Sequence, residues 1–152
     1  MNDRSGYLGV DWGASSVGVS FADAETRIAF ALATLKNDET LLDRLGALIG
    51  EKEIGIVVIG IPVRNVSRSD PGRPSHANHS DVSIEARRFG VTVQKSFPVR
   101  VAFQNEMFTT KMAEANLRER GLRRIARFDD AESARIILQE WLDRGGDREI
   151  RP

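Results

Sequence analysis

Three carboxylates stand where apolar sequence breaks off. Asp11 lies in GYLGVDW, Glu106 follows VRVAFQN, and Asp130 heads DDAESARIILQEWLD after Asp129. In an extended strand Tyr7, Gly9 and Asp11 share one face and Leu8 and Val10 the other. A carboxylate in an otherwise apolar strand costs free energy unless it is paired or binds a cation. Gly9 and Gly13 flank Asp11 and remove side-chain bulk, leaving room for a ligand. Two readings fit Asp11 on these residues alone: a cation ligand, or a strand-end cap bonded to the amides of Ala14 and Ser15. Glu106 stands past the carboxyl end of a strand, where ligands lie in open α/β sheets; a solvated loop carboxylate fits the same pattern.

Asp129 and Asp130 separate on a helical wheel of about 100° per residue. Ala134, Ile137, Leu138 and Trp141 define the buried stripe. Asp130 falls on its margin and Asp129 outside it. Asp129 suits the N-cap, with Glu132 three residues on as in a capping box. Asp130 therefore points inward with no structural role of its own. Three carboxylates converging at one place would repel one another and raise each other's pKa. A divalent cation removes that penalty, and all-oxygen ligands select a hard ion such as Mg²⁺ or Mn²⁺. The chemistry that follows is phosphoryl transfer to water, with two ions about 3.5–4 Å apart.

Positioning these groups takes a sheet. Residues 7–12 and 17–22 are β-rich runs around a short Gly/Ser turn and read as a hairpin; Ile28 to Thr34 follows the turn DAET as a third strand. Asp38 caps a helix whose Leu41, Leu42, Leu45, Leu48 and Ile49 form an i, i+3, i+4 stripe. Residues 54–61, IGIVVIGI, suit a strand covered on both faces. Residues 62–78 read as a loop, with three Pro, one Gly and three Arg, and loops of that length are uncommon unless functional or mobile. Within 79–97 GVTV resembles a strand, but Val82, Ala86, Phe89, Val93 and Phe97 recur at helical spacing. A helix is the better fit, because Pro98 then opens the strand VRVAF. A further helix, MAEANLRER, begins at Thr109 or Thr110 and ends at Gly121. The last runs from about Asp130 to Arg144 and stops at Gly145-Gly146. The order β-β-β-α-β-α-β-α-α predicts an α/β fold, a mixed five-stranded sheet flanked by helices, in a single domain over 1–152.

Composition excludes several classes. There is no cysteine, hence no disulfide and no Cys-based zinc site. No apolar run approaches the ~20 residues that span a bilayer, and MNDRSGY lacks a signal-peptide core, so a cytoplasmic location without a membrane partner is expected. The net charge of zero gives no global argument for a nucleic-acid partner. Among the basic residues, however, only Lys36, Lys52, Lys95 and Lys111 are not Arg. Arg presents a planar fork that matches phosphate oxygens; a GC-rich coding bias explains the same excess.

GVDWGASSVGVS resembles the GIDFGTKRIGVA opening of the YqgF/RuvX family. VVIGIP resembles its VVGLP strand, NEMFTT its DER-x-T-T segment, and FDDAESARIILQEWLD its closing V-D-x-x-A-A-x-I-L-Q-x-Y-L-D helix. The four blocks keep the family order and span nearly the whole chain. The resemblance implies an RNase H-like fold, similar to that of Holliday-junction resolvases. It also implies a function in trimming the 5′ end of pre-16S rRNA. Carried over by position, the family's first Asp falls on Asp11, its DER Glu on Glu106 and its C-terminal-helix Asp on Asp130. The last agrees with the helical wheel.

The departures concern phosphate handling. Ser15 and Ser16 stand in place of a basic pair, and Asn105 and Met107 in place of the Asp and Arg beside the central Glu. Asn105 still offers an amide oxygen to metal or substrate; Met107 cannot clamp a phosphate. Arg123 and Arg124, within the cluster from Arg118 to Arg127, and Arg64 on the long loop are the candidate substrate contacts. A basic helix end and a solvated loop account for the same residues. His76 and His79 have no third ligand nearby, and Trp12 after a buried strand reads as core.

The leading function is a metal-dependent nuclease acting on structured RNA. A resolvase of branched DNA would use the same residues, and it requires a homodimer that presents two sites to one junction. A binding or scaffolding module with a weakened site is the reading that Ser15, Ser16, Asn105 and Met107 favour. Sugar-kinase and actin-like ATPases share the opening motif, but they need two such domains.

Overall fold

The computed structural model describes residues 5–61, 76–105 and 129–149. Alternation of apolar residues organises the first part of the chain into three strands, β1 (Gly6–Trp12), β2 (Ser16–Asp23) and β3 (Ala29–Lys36). Helix α1 (Leu41–Glu51), strand β4 (Ile54–Ile61), helix α2 (His76–Ser96) and strand β5 (Arg100–Asn105) follow. Helix α3 (Asp130–Asp143) and the short α4 (Gly146–Glu149) complete the described elements. The sheet order is β3-β2-β1-β4-β5. β1 and β3 run antiparallel to β2, whereas β4 lies parallel to both β1 and β5. The expected mixed five-stranded sheet is present.

Each face of the sheet buries its own core. Leu8, Val10, Val17, Val19, Val57, Ile59 and Ile61 face α1 and α2, which contribute Leu41, Leu45, Ile49, Ala86 and Val93. Tyr7, Ala22 and Val58 face α3, which contributes Ile137, Leu138, Trp141 and Leu142. β4 thus sends side chains to both cores, the reason its sequence is apolar without alternation. The indole of Trp141 is buried and meets Tyr7 edge to face, with ring centroids 5.8 Å apart. Trp12 packs against the first core, as its place after a buried strand predicts.

Several expected boundaries move, β3 running from Ala29 to Lys36 and not from Ile28 to Thr34. α1 starts after Thr40, not Asp38. The Asp38 carboxylate reaches two residues forward, accepting from the Thr40 amide (2.9 Å) and hydroxyl (2.6 Å), so it closes a turn ahead of the helix. The loop expected over 62–78 ends sooner, since His76 already belongs to α2. The segment 79–97 is helical almost throughout, with Phe89 and Phe97 packed on the first core. The helix expected after Thr109 lies outside the described residues. α3 ends as predicted, with Gly145 at φ 77°. Among the described residues no helix is long and apolar enough to cross a membrane.

Candidate active site

Val10 and Trp12 both pack toward α1 and α2, so the alternation of β1 turns Asp11 to the opposite face, under α3. Its cross-strand partner on β2 is Gly18. That pairing sets two Cα atoms roughly 4.5–5.5 Å apart. A β-carbon on Gly18 would stand 1.8 Å from the main-chain oxygen of Asp130. The backbone at the head of α3 therefore rests directly on the sheet beside Asp11. Residues near the two ends of the chain meet at one corner of one face.

The seat continues along the helix. A β-carbon on Gly9 would lie 2.7 Å from Leu138 Cβ and 2.9 Å from the Ala134 oxygen. The buried Ser20 hydroxyl donates to that same Ala134 oxygen at 2.7 Å. The space at Gly9 is thus occupied by α3, which corrects the expectation that this glycine leaves room for a ligand. Gly13 instead packs against Ser16 main chain inside the turn.

Asp129 and Asp130 divide as the wheel predicts. Asp129 is exposed and caps α3, its Oδ1 accepting from the Glu132 amide at 2.8 Å. The Glu132 carboxylate does not close a capping box; it takes a hydrogen bond from Arg135 Nε at 2.9 Å and raises the pKa of that guanidinium. Asp130 is half-buried, and its Oδ2 accepts a hydrogen bond from the Ser16 hydroxyl. The turn between β1 and β2 is fastened from outside: the Asn37 side chain donates to the Gly13 oxygen (2.6 Å), and its amide to the Ser15 oxygen (3.0 Å).

Asn105 closes β5 opposite Ile61, while Val10 pairs with Ile59, so Asn105 ends at the same sheet edge as Trp12. Gln104 beside it is buried and accepts from Arg144 Nε at 2.8 Å, which draws a guanidinium from the end of α3 across to β5. Glu106, Arg64, Arg123 and Arg124 lie outside the described residues. Among the described residues no group of three His, Cys, Asp or Glu assembles into a metal site. Asp11 and Asp130 are the two candidate positions whose main chains are brought together, each lying against Gly18.

Ser16, Asn37, Gln104 and Arg144 are absent from the sequence-derived site. The polar run Gln104-Asn105-Glu106 after VRVAF is the one signal that marks Gln104. Ser16 is marked only as a departure from a basic pair, and Asn37 carries no signal.

The strand order, and a carboxyl-terminal helix seated on β1 and β2, define an RNase H-like domain. The same fold is seen in Thermus thermophilus RuvC, solved in complex with a Holliday junction substrate. It superposes with a TM-score of 0.51 at 15% identity, covering 93% of this chain and 96% of that one. The chain belongs to the RuvX family, a nuclease family described as Holliday junction resolvase, whose model matches residues 5–144. A protein of Burkholderia cenocepacia (strain HI2424), named "Putative pre-16S rRNA nuclease", is 36% identical over 146 residues, 93% of this chain and 91% of that protein. A Burkholderia vietnamiensis protein of the same name is 35% identical over 147 residues, 94% and 92% of the two chains.

Proposed function

We propose that this protein is a divalent-metal-dependent nuclease of the cytoplasm that hydrolyses structured RNA at the 5′ end of pre-16S rRNA, pre-16S rRNA being the substrate its relatives' name indicates. The observation that carries this reading is the meeting of Asp11 and Asp130 on one face, with the head of α3 resting on Gly18. The side chains carried by these neighbouring positions offer only oxygen: the Asp11 carboxylate, the Asp130 carboxylate and the Ser16 hydroxyl that donates to it. Such a set fits Mg²⁺ or Mn²⁺, since Mg²⁺ is commonly held by one or two carboxylates together with waters and substrate phosphates. Glu106 follows Asn105 directly and is the third ligand of the proposal.

Asp11 and Asp130 would hold the cation, and Glu106 would complete its acidic shell. When bound, Mg²⁺ or Mn²⁺ supplies Lewis-acid polarisation of the phosphate and lowers the pKa of water. In the hydrolysis, a water oxygen bonds to phosphorus, the bond to the leaving oxygen breaks, and that oxygen takes up a proton. Asn105 is proposed to hydrogen-bond the substrate through its side-chain amide. Arg64, Arg123 and Arg124 are proposed to contact its phosphates, where the guanidinium fork matches paired oxygens.

The family's description favours a second substrate, branched DNA, which a homodimer would resolve. Incubation with a pre-16S 5′-leader RNA and, separately, with a four-way DNA junction distinguishes the two, each with Mn²⁺ and with EDTA. Metal-dependent cutting of the RNA in preference to the junction supports the proposal. Preferential junction cutting by a dimer supports the second substrate, and cutting of neither contradicts both.

A further inference from the structure

We propose that Ser16 is a positioning residue for the Asp130 carboxylate, holding it in the orientation that receives the cation; this rests on the metal-site reading above. Ser16 opens β2 on the same face as Gly18 and Ser20, and its hydroxyl donates to Asp130 Oδ2. The main chain of α3 is fixed without it. Gly18 seats the Asp130 backbone, Ser20 holds the Ala134 oxygen, and Asp129 caps the first turn. The Ser16 contact acts on what those three leave free, the rotation of the Asp130 side chain.

The chemistry of the pair suits that role. A carboxylate offers about four lone-pair sites on its two oxygens, and a hydroxyl donor occupies one of them. Oδ1 and the remaining lone pair of Oδ2 stay available to a cation. The donor is neutral, so it orients the carboxylate without reducing the negative charge that attracts the metal. Removing a partner that orients a metal ligand typically costs roughly 10–100-fold in metal affinity.

Mn²⁺ titration of the full chain, with free Mn²⁺ read by electron paramagnetic resonance, tests the assignment in the wild type, Ser16→Ala, Ser16→Thr and Asp130→Asn. Ser16→Ala is expected to raise the Mn²⁺ Kd about tenfold, and Ser16→Thr, which keeps the hydroxyl, to restore it to within about twofold of wild type. An unchanged Kd in Ser16→Ala, while Asp130→Asn loses binding, overturns the positioning role and leaves the metal site standing. Equal weakening in Ser16→Ala and Ser16→Thr also overturns it, because the hydroxyl is then not the acting group. Loss of fold in Ser16→Ala, read by circular dichroism, makes the contact structural and overturns it too. No saturable Mn²⁺ binding by the wild type, or unaltered binding in Asp130→Asn, removes the metal reading and this inference with it.

Discussion

Gly18 and the backbone of Asp130 are in contact: a β-carbon at Gly18 would lie 1.8 Å from the Asp130 oxygen and 2.1 Å from its carbonyl carbon. No flexible side chain is there to yield, so Gly18→Ala must lift the first turn of α3 from β2. Overpacking of this kind costs about 1–3 kcal/mol, and a backbone clash belongs at the upper end. Urea unfolding of Gly18→Ala is expected to show a lower midpoint at unchanged slope. A midpoint equal to wild type would contradict the seating of α3 on that glycine.

Arg27 ties the far end of α3 to the start of β3. Its guanidinium pairs with Asp147 and donates to the Leu142 oxygen at 2.6 Å. The Asp147 bond raises the arginine's pKa. The Arg27 side chain is 36% exposed, so solvent screening reduces the worth of the pair. Arg27→Ala is expected to destabilise by about 1–2 kcal/mol, since screening lowers the roughly 1.5–3 kcal/mol of hydrogen bonds to charged groups. Calorimetry showing no loss of stability would remove this contact from the account.

Asp38 supplies a pH signature. The Thr40 hydroxyl, and secondarily the Thr40 amide, hold its carboxyl below the usual carboxylate range. A depressed folded-state pKa stabilises the fold above the unfolded value of about 4, and that contribution disappears as pH falls through the folded value. Thr40→Ala removes the larger cause and keeps the amide. NMR titration is expected to show the Asp38 midpoint rising part of the way toward the unfolded value. An unmoved midpoint would assign the shift elsewhere.

The proposed phosphate contacts predict a salt effect. Arg123→Ala with Arg124→Ala should reduce the slope of log binding constant against log salt by about 2, roughly one per contact, on structured RNA. Unchanged slope and affinity would take both arginines out of the interface.

What could be read in the sequence followed from local period. The wheel distinguished Asp130 from Asp129 because a three-residue reach to Glu132 and a buried stripe are both written within one helix. β4 and α2 were legible for the same reason, through unbroken apolarity and helical spacing. Asp38 misled because it and Thr40 are both capping types two residues apart, and the choice between them depends on how the chain leaves β3. His76 opens α2 under a polar turn, HANH, with no apolar stripe to mark it. Gly9 misled too: the room expected there for a ligand is taken by α3, which is remote in sequence. Ser16 was legible as a departure from a basic pair, but its bond to Asp130 was not: that partner is 114 positions away. Contacts of that span are set by the assembled sheet, and a serine at a strand's first position looks like turn chemistry.

The divalent cation proposed to be shared by Asp11 and Asp130 is tested most directly by the Mn²⁺-dependent cutting of pre-16S 5′-leader RNA by wild type, Asp11→Asn and Asp130→Asn, each shown to be folded. Both substitutions keep side-chain size and remove a negative charge from the ligand set. The expected result is metal-dependent cutting by wild type and a loss of at least about 100-fold in each variant, at least about 2.7 kcal/mol of transition-state stabilisation. Cutting by either variant at the wild-type rate, or by wild type in the presence of EDTA, would contradict the proposal.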